Sequence, residues 1–221
     1  KEVKGAPGYK QNLAFSYVSV DSTHLEVGDS TLTHLKDYIS YPIPNHDADL
    51  SFKKLYFAGY GISDTRYNDY SSGNFRNKAV IIFNGEPVNE DGEAILARGN
   101  EDRTIWSSDI RMKLEIAKRE GVKFLFIIEP NFQRAAQRSR RAILSKRLYP
   151  RVIPDEVSDM PPHMYISPAT AEMIFGDKYQ DVIEERDDAR EDMNPKSIKI
   201  KNAVKAYQNY TVNRVPSANI A

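Results

Sequence analysis

Three observations predict an α+β domain. Residues 13 to 35 hold short runs rich in β-branched and aromatic residues, LAFSYVSV and THLEV, which read as strands. Residues 79 to 128 run as apolar strand, helix and apolar strand. After Pro195 the even-numbered positions Ile198, Ile200, Val204, Ala206, Tyr210 and Val212 are apolar, and Lys199, Lys201, Lys205, Asn209 and Thr211 alternate with them, the period of half-exposed strands.

Along the chain, Val27-Gly28-Asp29-Ser30 supplies a turn before Thr31-Leu32-Thr33, so residues 13 to 35 are hairpin-like. Residues 41 to 51, YPIPNHDADLS, hold two prolines and several polar groups and predict an extended connector. The run from Leu55 to Ile62 mixes aromatic and apolar residues with Gly59 and Gly61. A tyrosine-bearing loop from Ser63 to Arg76 follows, and then the bare apolar core of a strand, Ala79 to Phe83.

From Thr104 to Glu120, Trp106, Ile110, Leu114 and Ala117 recur at helical spacing and share one face. Asp109 sits in the early turns, Lys118 and Arg119 in the last, and Gly121 where a left-handed cap belongs. VKFLFII then reads as a buried strand. Two uniformly apolar strands joined through a helix suit a parallel pair covered on both faces, with a right-handed crossover.

Residues 132 to 148 predict a second helix with Ala135, Ala136, Ser139, Ile143 and Leu144 inward, ending before Pro150. Prolines 154, 161 and 162 mark a loop before a short strand, His163 to Ile166. Pro168 opens a small helix over Ala171, Met173 and Ile174, which Gly176 closes. Tyr179 to Asp192 is polar and helical, and the alternating strands after Pro195 predict a hairpin turning near Asn202. There is no internal repeat and no low-complexity tract.

Composition excludes several chemistries. Lys plus Arg equals Asp plus Glu at 31 each, so no global field draws the chain toward nucleic acid or an anionic membrane. The lack of cysteine removes disulfides, thiolate catalysis and Cys-type zinc sites together. No apolar run approaches the ~18 residues of a membrane span. The chain begins at Lys1 without Met and ends on Asn219, Ile220 and Ala221, from which we expect it to be cut from something longer.

The four histidines, His24, His34, His46 and His163, form no His-Glu-x-x-His and read as ordinary surface or turn residues. No Gly-x-Ser-x-Gly, Walker loop or G-x-G-x-x-G is present, and Asn89-Glu90-Asp91-Gly92-Glu93 reads as a turn rather than a calcium loop. Asn209-Tyr210-Thr211 fits a glycosylation sequon, a three-residue match.

Two candidate interaction surfaces remain. Tyr67 and Tyr70 in the loop could line a peptide or sugar surface, since tyrosine joins apolar area to a hydroxyl; packing in core or loop is the alternative. Between Pro130 and Pro154 lie seven basic residues and no acid, among them Arg134, Arg138 and Arg141. They read either as a solvated helix face or as a contact for an acidic partner or the acidic edge of a neighbouring domain. Nucleic acid is discounted, because only Phe132 and Tyr149 are interleaved for stacking.

The order Tyr56-Phe57-Ala58-Gly59-Tyr60-Gly61-Ile62, then Asn68-Asp69-Tyr70, then Asn77-Lys78-Ala79-Val80-Ile81-Ile82-Phe83-Asn84-Gly85-Glu86-Pro87, resembles the protease-associated domain of zinc aminopeptidase-like metallopeptidases. Lys113 to Ile128 is similar to that family's helix, turn and strand, and Tyr165-Ile166-Ser167-Pro168 to its strand and Ser-Pro helix start. Ser30 to Tyr41 is similar to the approach to this insert, and Thr211 to Ala221 to the segment that leads back to the peptidase domain.

The resemblance implies a mixed β-barrel or sandwich flanked by helices, of the swivelling β/β/α type. Residues 1–40 would lead in from the peptidase domain, 41–195 form the protease-associated domain, and 196–221 lead back. It implies an accessory domain of an exported bacterial zinc exopeptidase, periplasmic, outer-surface or secreted, with its own peptidase domain and peptide substrate as partners. No residue here matches the family's zinc ligands, so no cofactor is expected in this segment and zinc is expected in the catalytic domain. The competing readings are a free-standing peptide- or glycan-binding module and, last, an independent hydrolase.

Overall fold

A strand covered on both faces has no polar side to offer, and the segments AVIIF and FLFII meet that requirement along their whole length. The computed structural model describes residues 10–43, 47–98, 103–145, 147–149 and 159–220. In chain order the strands and helices are β1 (Lys10–Val27), β2 (Ser30–Thr31), β3 (Tyr38–Ile39), β4 (Ala48–Phe52), β5 (Leu55–Phe57), β6 (Ala79–Phe83), α1 (Ile105–Ser108), α2 (Ile110–Arg119), β7 (Phe124–Ile128), α3 (Phe132–Leu144), β8 (Arg147–Tyr149), β9 (His163–Ile166), α4 (Pro168–Phe175), α5 (Tyr179–Asp192), β10 (Ile198–Ile200) and β11 (Val204–Ile220).

The predicted parallel pair forms, with Ala79 opposite Phe124 and Phe83 opposite Ile128. It is the centre of a sheet ordered β10-β5-β6-β7-β9-β3, whose four inner strands are parallel and whose edge strands run antiparallel. A second, antiparallel sheet is ordered β2-β1-β11-β4, with β8 added to β1. The described residues are therefore α+β with two sheets, and neither sheet closes into a barrel.

Alternation along β6 and β7 builds two cores. Ile81, Phe124 and Phe126 face the antiparallel sheet and α4, packing with Leu25, Val204, Ala206 and Phe175. Val80, Ile82, Leu125 and Ile127 face the other way, beneath α1, α2 and the loop after β5, packing with Trp106, Leu114, Ala117, Tyr67 and Tyr70. At the β3–β9 edge, α3 seats Phe132, Ala136 and Ile143 against Ile39.

Local chemistry sets the ends of the helices. Thr104 accepts a hydrogen bond from the Trp106 amide at the start of α1, and Ser167 accepts one from the Thr170 amide with Pro168 in the first turn of α4. Gly121, with φ of +71°, takes the left-handed position after α2.

Four expectations are corrected. Residues 13 to 27 form one strand rather than two, interrupted only where Asp21 falls out of register as a bulge between Val20 and Ser22. The helix over 104 to 120 divides at Asp109, whose extended backbone and side chain, accepting from the Arg111 amide, cap α2 afresh. The second helix stops at Leu144, which is 65% exposed instead of inward, and residues 147–149 pair with β1. No hairpin forms at Asn202. There the chain passes from one sheet to the other, because the Asn202 amide donates to the carbonyls of Met173 and Ile174 while its own oxygen accepts from the Ala203 amide. The connector at 44–46, with His46, and Lys146, Pro150, Arg151 and Pro154 lie outside the described residues.

Phe126 is fully buried with its ring 4.8 Å from that of Phe124. Phe126→Ala is expected to lower unfolding free energy by about 3–5 kcal/mol, read from denaturant midpoints; a loss below about 1 kcal/mol would contradict the packing described.

Candidate functional site

Parallel strands carry their ligand sites beyond their carboxyl ends, and here those ends are shaped by the loop between β5 and β6. Asn68 accepts from the Tyr70 amide and Asp64 from the Arg66 amide, two tight turns that fold the loop back on itself. Asp69 is thereby carried into the interior, 1% exposed, where its Oδ2 accepts from the amides of Tyr60 (3.1 Å) and Ile62 (2.8 Å). Gly59 makes room for this carboxylate: its φ is +46°, and a Cβ there would lie 1.9 Å from Asp69 Oδ1.

Tyr67 and Tyr70 do not form the interaction surface predicted for them. They are 2% and 5% exposed, turned against Val80 and Ile82, and the Tyr70 ring meets Phe75 edge to face at 5.0 Å. The loop is glycine-punctuated so that it can fold inward, and its aromatic residues are core. Tyr60, just before the loop, lines a cavity.

On the other side of Asp69 stands Lys113, fully buried on α2. Its ammonium donates to the carbonyls of Phe83 (3.3 Å) and Gly85, bracing the end of β6. Glu86 follows, 5% exposed, accepting from both the amide (2.9 Å) and the hydroxyl of Thr104. Burial pushes the Asp69 carboxyl up to about 7, against the pull of the Ile62 amide. Burial also brings the Lys113 ammonium down to about 7, against the attraction of Asp69 and Glu86. The sequence motifs contain both residues, Asp69 in Asn68-Asp69-Tyr70 and Lys113 at the start of the segment that runs to Ile128, without pointing to their burial. Lys113 was detectable, since it stands three residues after Ile110 and four before Ala117 on the apolar face of its helix.

Above this buried charge lies a cleft of about 470 Å³. Phe83 and Gly85 from the end of β6, Ile128 from β7, Phe175 from α4 and Ile183 from α5 form its apolar wall, with Tyr60 and Tyr179 beside them. Two guanidinium groups line it, those of Arg103 and Arg186, the latter 5.5 Å over the Phe83 ring.

The predicted basic surface lies elsewhere. Arg134, Arg138 and Arg141 are exposed on the outer side of α3, and none of them forms an ion pair among the described residues. The structure therefore does not bring the tyrosines and arginines together. His24 hydrogen-bonds Glu26 at 2.7 Å, and His34 accepts from the Ser40 amide while stacking on Tyr38. His163 is buried within β9 rather than on a surface or turn. Among the described residues no group of three or more His, Asp or Glu side chains is placed to hold a metal ion.

No protein-family model matches the sequence, and no curated protein matches it. Among solved structures, an aminopeptidase from Aneurinibacillus sp. strain AM-1 aligns with a TM-score of 0.45 at 13% identity, over 95% of this chain and 36% of that one. The chain thus spans about a third of the length of that structure.

Two outcomes follow from the Asp69 bend. Gly59→Ala forces a Cβ into the carboxylate at positive φ and is expected to cost about 2 kcal/mol or more; unchanged stability would contradict the close approach. For pH, a carboxyl that holds its proton more tightly folded than unfolded stabilises the fold fully below its ordinary value of 3.8, and that stability is lost as pH rises through about 7. Lys113 has the opposite sign, contributing above 10.5 and losing its contribution as pH falls through about 7. Across pH 4 to 7 the native protein should therefore lose stability relative to Asp69→Asn, by up to about 1.4 kcal/mol per pH unit. Parallel stability curves for the two proteins would contradict this.

Proposed function

We propose that this chain is a non-catalytic protease-associated domain of an exported bacterial zinc exopeptidase, one that shapes peptide access to the catalytic domain or holds protein contacts. The observation that carries the reading is the pairing of β1 with β11 from Lys10 opposite Ile220 to Val27 opposite Val204. An inserted domain must receive the chain and return it at one place, or it would push apart the host structure it interrupts. Strands paired in one antiparallel ladder stand about 5 Å apart, so incoming and outgoing chain leave the domain side by side and with fixed relative direction.

The motif run from Tyr56 to Pro87 supports the same reading. Its glycines, its aspartate and its tyrosines serve the architecture of the β5–β6 turn, as expected where a sequence signature marks a domain type instead of a reaction. Zinc would be held by the host's catalytic domain. Arg134, Arg138 and Arg141 on α3 would meet an acidic edge of that domain, and the two-sheet α+β fold would be the mixed sandwich of the family. The tyrosine-surface version of a free-standing module loses its basis with the burial of Tyr67 and Tyr70.

The test has two arms. In the gene, the reading frame around this chain is expected to encode His-x-Asp and Glu-Glu zinc ligands; a frame without them contradicts the reading. In the assay, the purified chain with added zinc is expected not to release p-nitroaniline from aminoacyl p-nitroanilides. Hydrolysis abolished by a chelator would contradict a non-catalytic role.

A further inference from the structure

We propose that the cleft at the carboxyl ends of β6 and β7 binds a small organic carboxylate with an apolar body. The inference does not depend on the reading of the chain as an accessory domain. It rests on size, wall chemistry and charge.

The cleft's volume, about 470 Å³, lies within the range of small-molecule sites, which are mostly apolar with a few polar groups that orient the ligand. Phe83, Ile128, Phe175 and Ile183 supply the apolar wall. The polar groups are biased to one sign. Asp187 pairs with Arg186 at 3.0 Å and with Arg190 at 3.8 Å, so one carboxylate is shared by two guanidinium groups and a positive charge is left over. Arg103 has no ion pair among the described residues.

Glu86 also lines the cleft, but its two oxygens are taken by the amide and hydroxyl of Thr104. The Lys113 ammonium attracts it from behind. The charge of Glu86 remains, since both Thr104 donors are neutral, but it offsets only one of the two positive charges that Arg103 and the Arg186–Asp187–Arg190 cluster bring.

Arg186 directs its Nε and one terminal nitrogen to Asp187. Its other terminal nitrogen has no partner among the described residues, and its plane is held near the Phe83 ring. A guanidinium anchored in this way on an aromatic wall is suited to a planar carboxylate whose hydrocarbon part lies along the same wall. Such a ligand occurs in two forms, the carboxyl group of an apolar amino acid or peptide end, and an alkyl acid.

Calorimetric titration with N-acetyl-L-phenylalanine, octanoate and the neutral N-acetyl-L-phenylalaninamide tests the proposal. At least one acid is expected to bind below about 10 mM, and whichever binds more tightly identifies the source of the ligand; the amide is expected to bind about tenfold more weakly or worse. Arg186→Gln should weaken acid binding by about tenfold or more and amide binding by much less. Ile183→Trp, which fills the cleft, should abolish both. Each variant's unfolding midpoint is measured alongside, and Arg186→Lys, which keeps the charge, should recover part of the affinity. Equal binding of acid and amide, an unaltered acid affinity in folded Arg186→Gln, or no binding of either acid at about 10 mM would overturn the proposal.

Discussion

The Asp69 carboxylate, buried between the amides of Tyr60 and Ile62, is the interaction on which the organisation of the parallel sheet's functional end depends. Removing a carboxylate from water is costly unless hydrogen bonds and nearby charge replace the lost hydration. The two amides on Oδ2 and the attraction of Lys113 offset part of that cost, burial still prevailing on the carboxyl, and they set the bend after β5. Phe83 donates its amide to the Gly59 carbonyl and Ala58 donates to Ile81, so the bend is tied to the end of β6. Lys113, which holds the Phe83 and Gly85 carbonyls, ties β6 to α2. The position of Tyr60 at the cleft is the outcome of those ties.

This arrangement explains why Tyr67 and Tyr70 are core residues and do not face solvent. A loop that brings a charged group inward must bring its neighbours with it, and Tyr67 and Tyr70 lie two residues before and one after Asp69. Their rings fill the space over Val80 and Ile82. The cleft is lined instead by residues from the segment before α1, from β6 and from α5, whose proximity depends on the whole sheet being assembled. At the opposite level of organisation, the long β1–β11 ladder brings the first and last strands of the described residues side by side.

Much of the fold was legible because its signals are local. Ala79–Phe83 and Phe124–Ile128 are apolar at every position, Trp106, Leu114 and Ala117 mark a buried face, and Gly28 and Gly121 stand where positive φ is needed. What the sequence did not disclose is partner choice. Alternation from Ile198 to Val212 shows which residues face inward, but not that β10 joins β5 while β11 joins β1, a decision made by Asn202 reaching the last carbonyls of α4. The cleft was hidden for the same reason. Arg103 and Arg186 are 83 positions apart, and no spacing rule links them. Lys113 was the visible exception, a cation standing on an apolar helical face.

Amide hydrogen exchange at Tyr60 and Ile62 tests the central claim most directly. If Asp69 closes the bend from inside, both amides should exchange only on the slow, global opening that exposes β6 and β7, with protection near that of Ile81 and Phe126. Exchange of these two amides at the rates of an open loop, while β6 and β7 stay protected, would contradict the buried-carboxylate bend and everything derived from it.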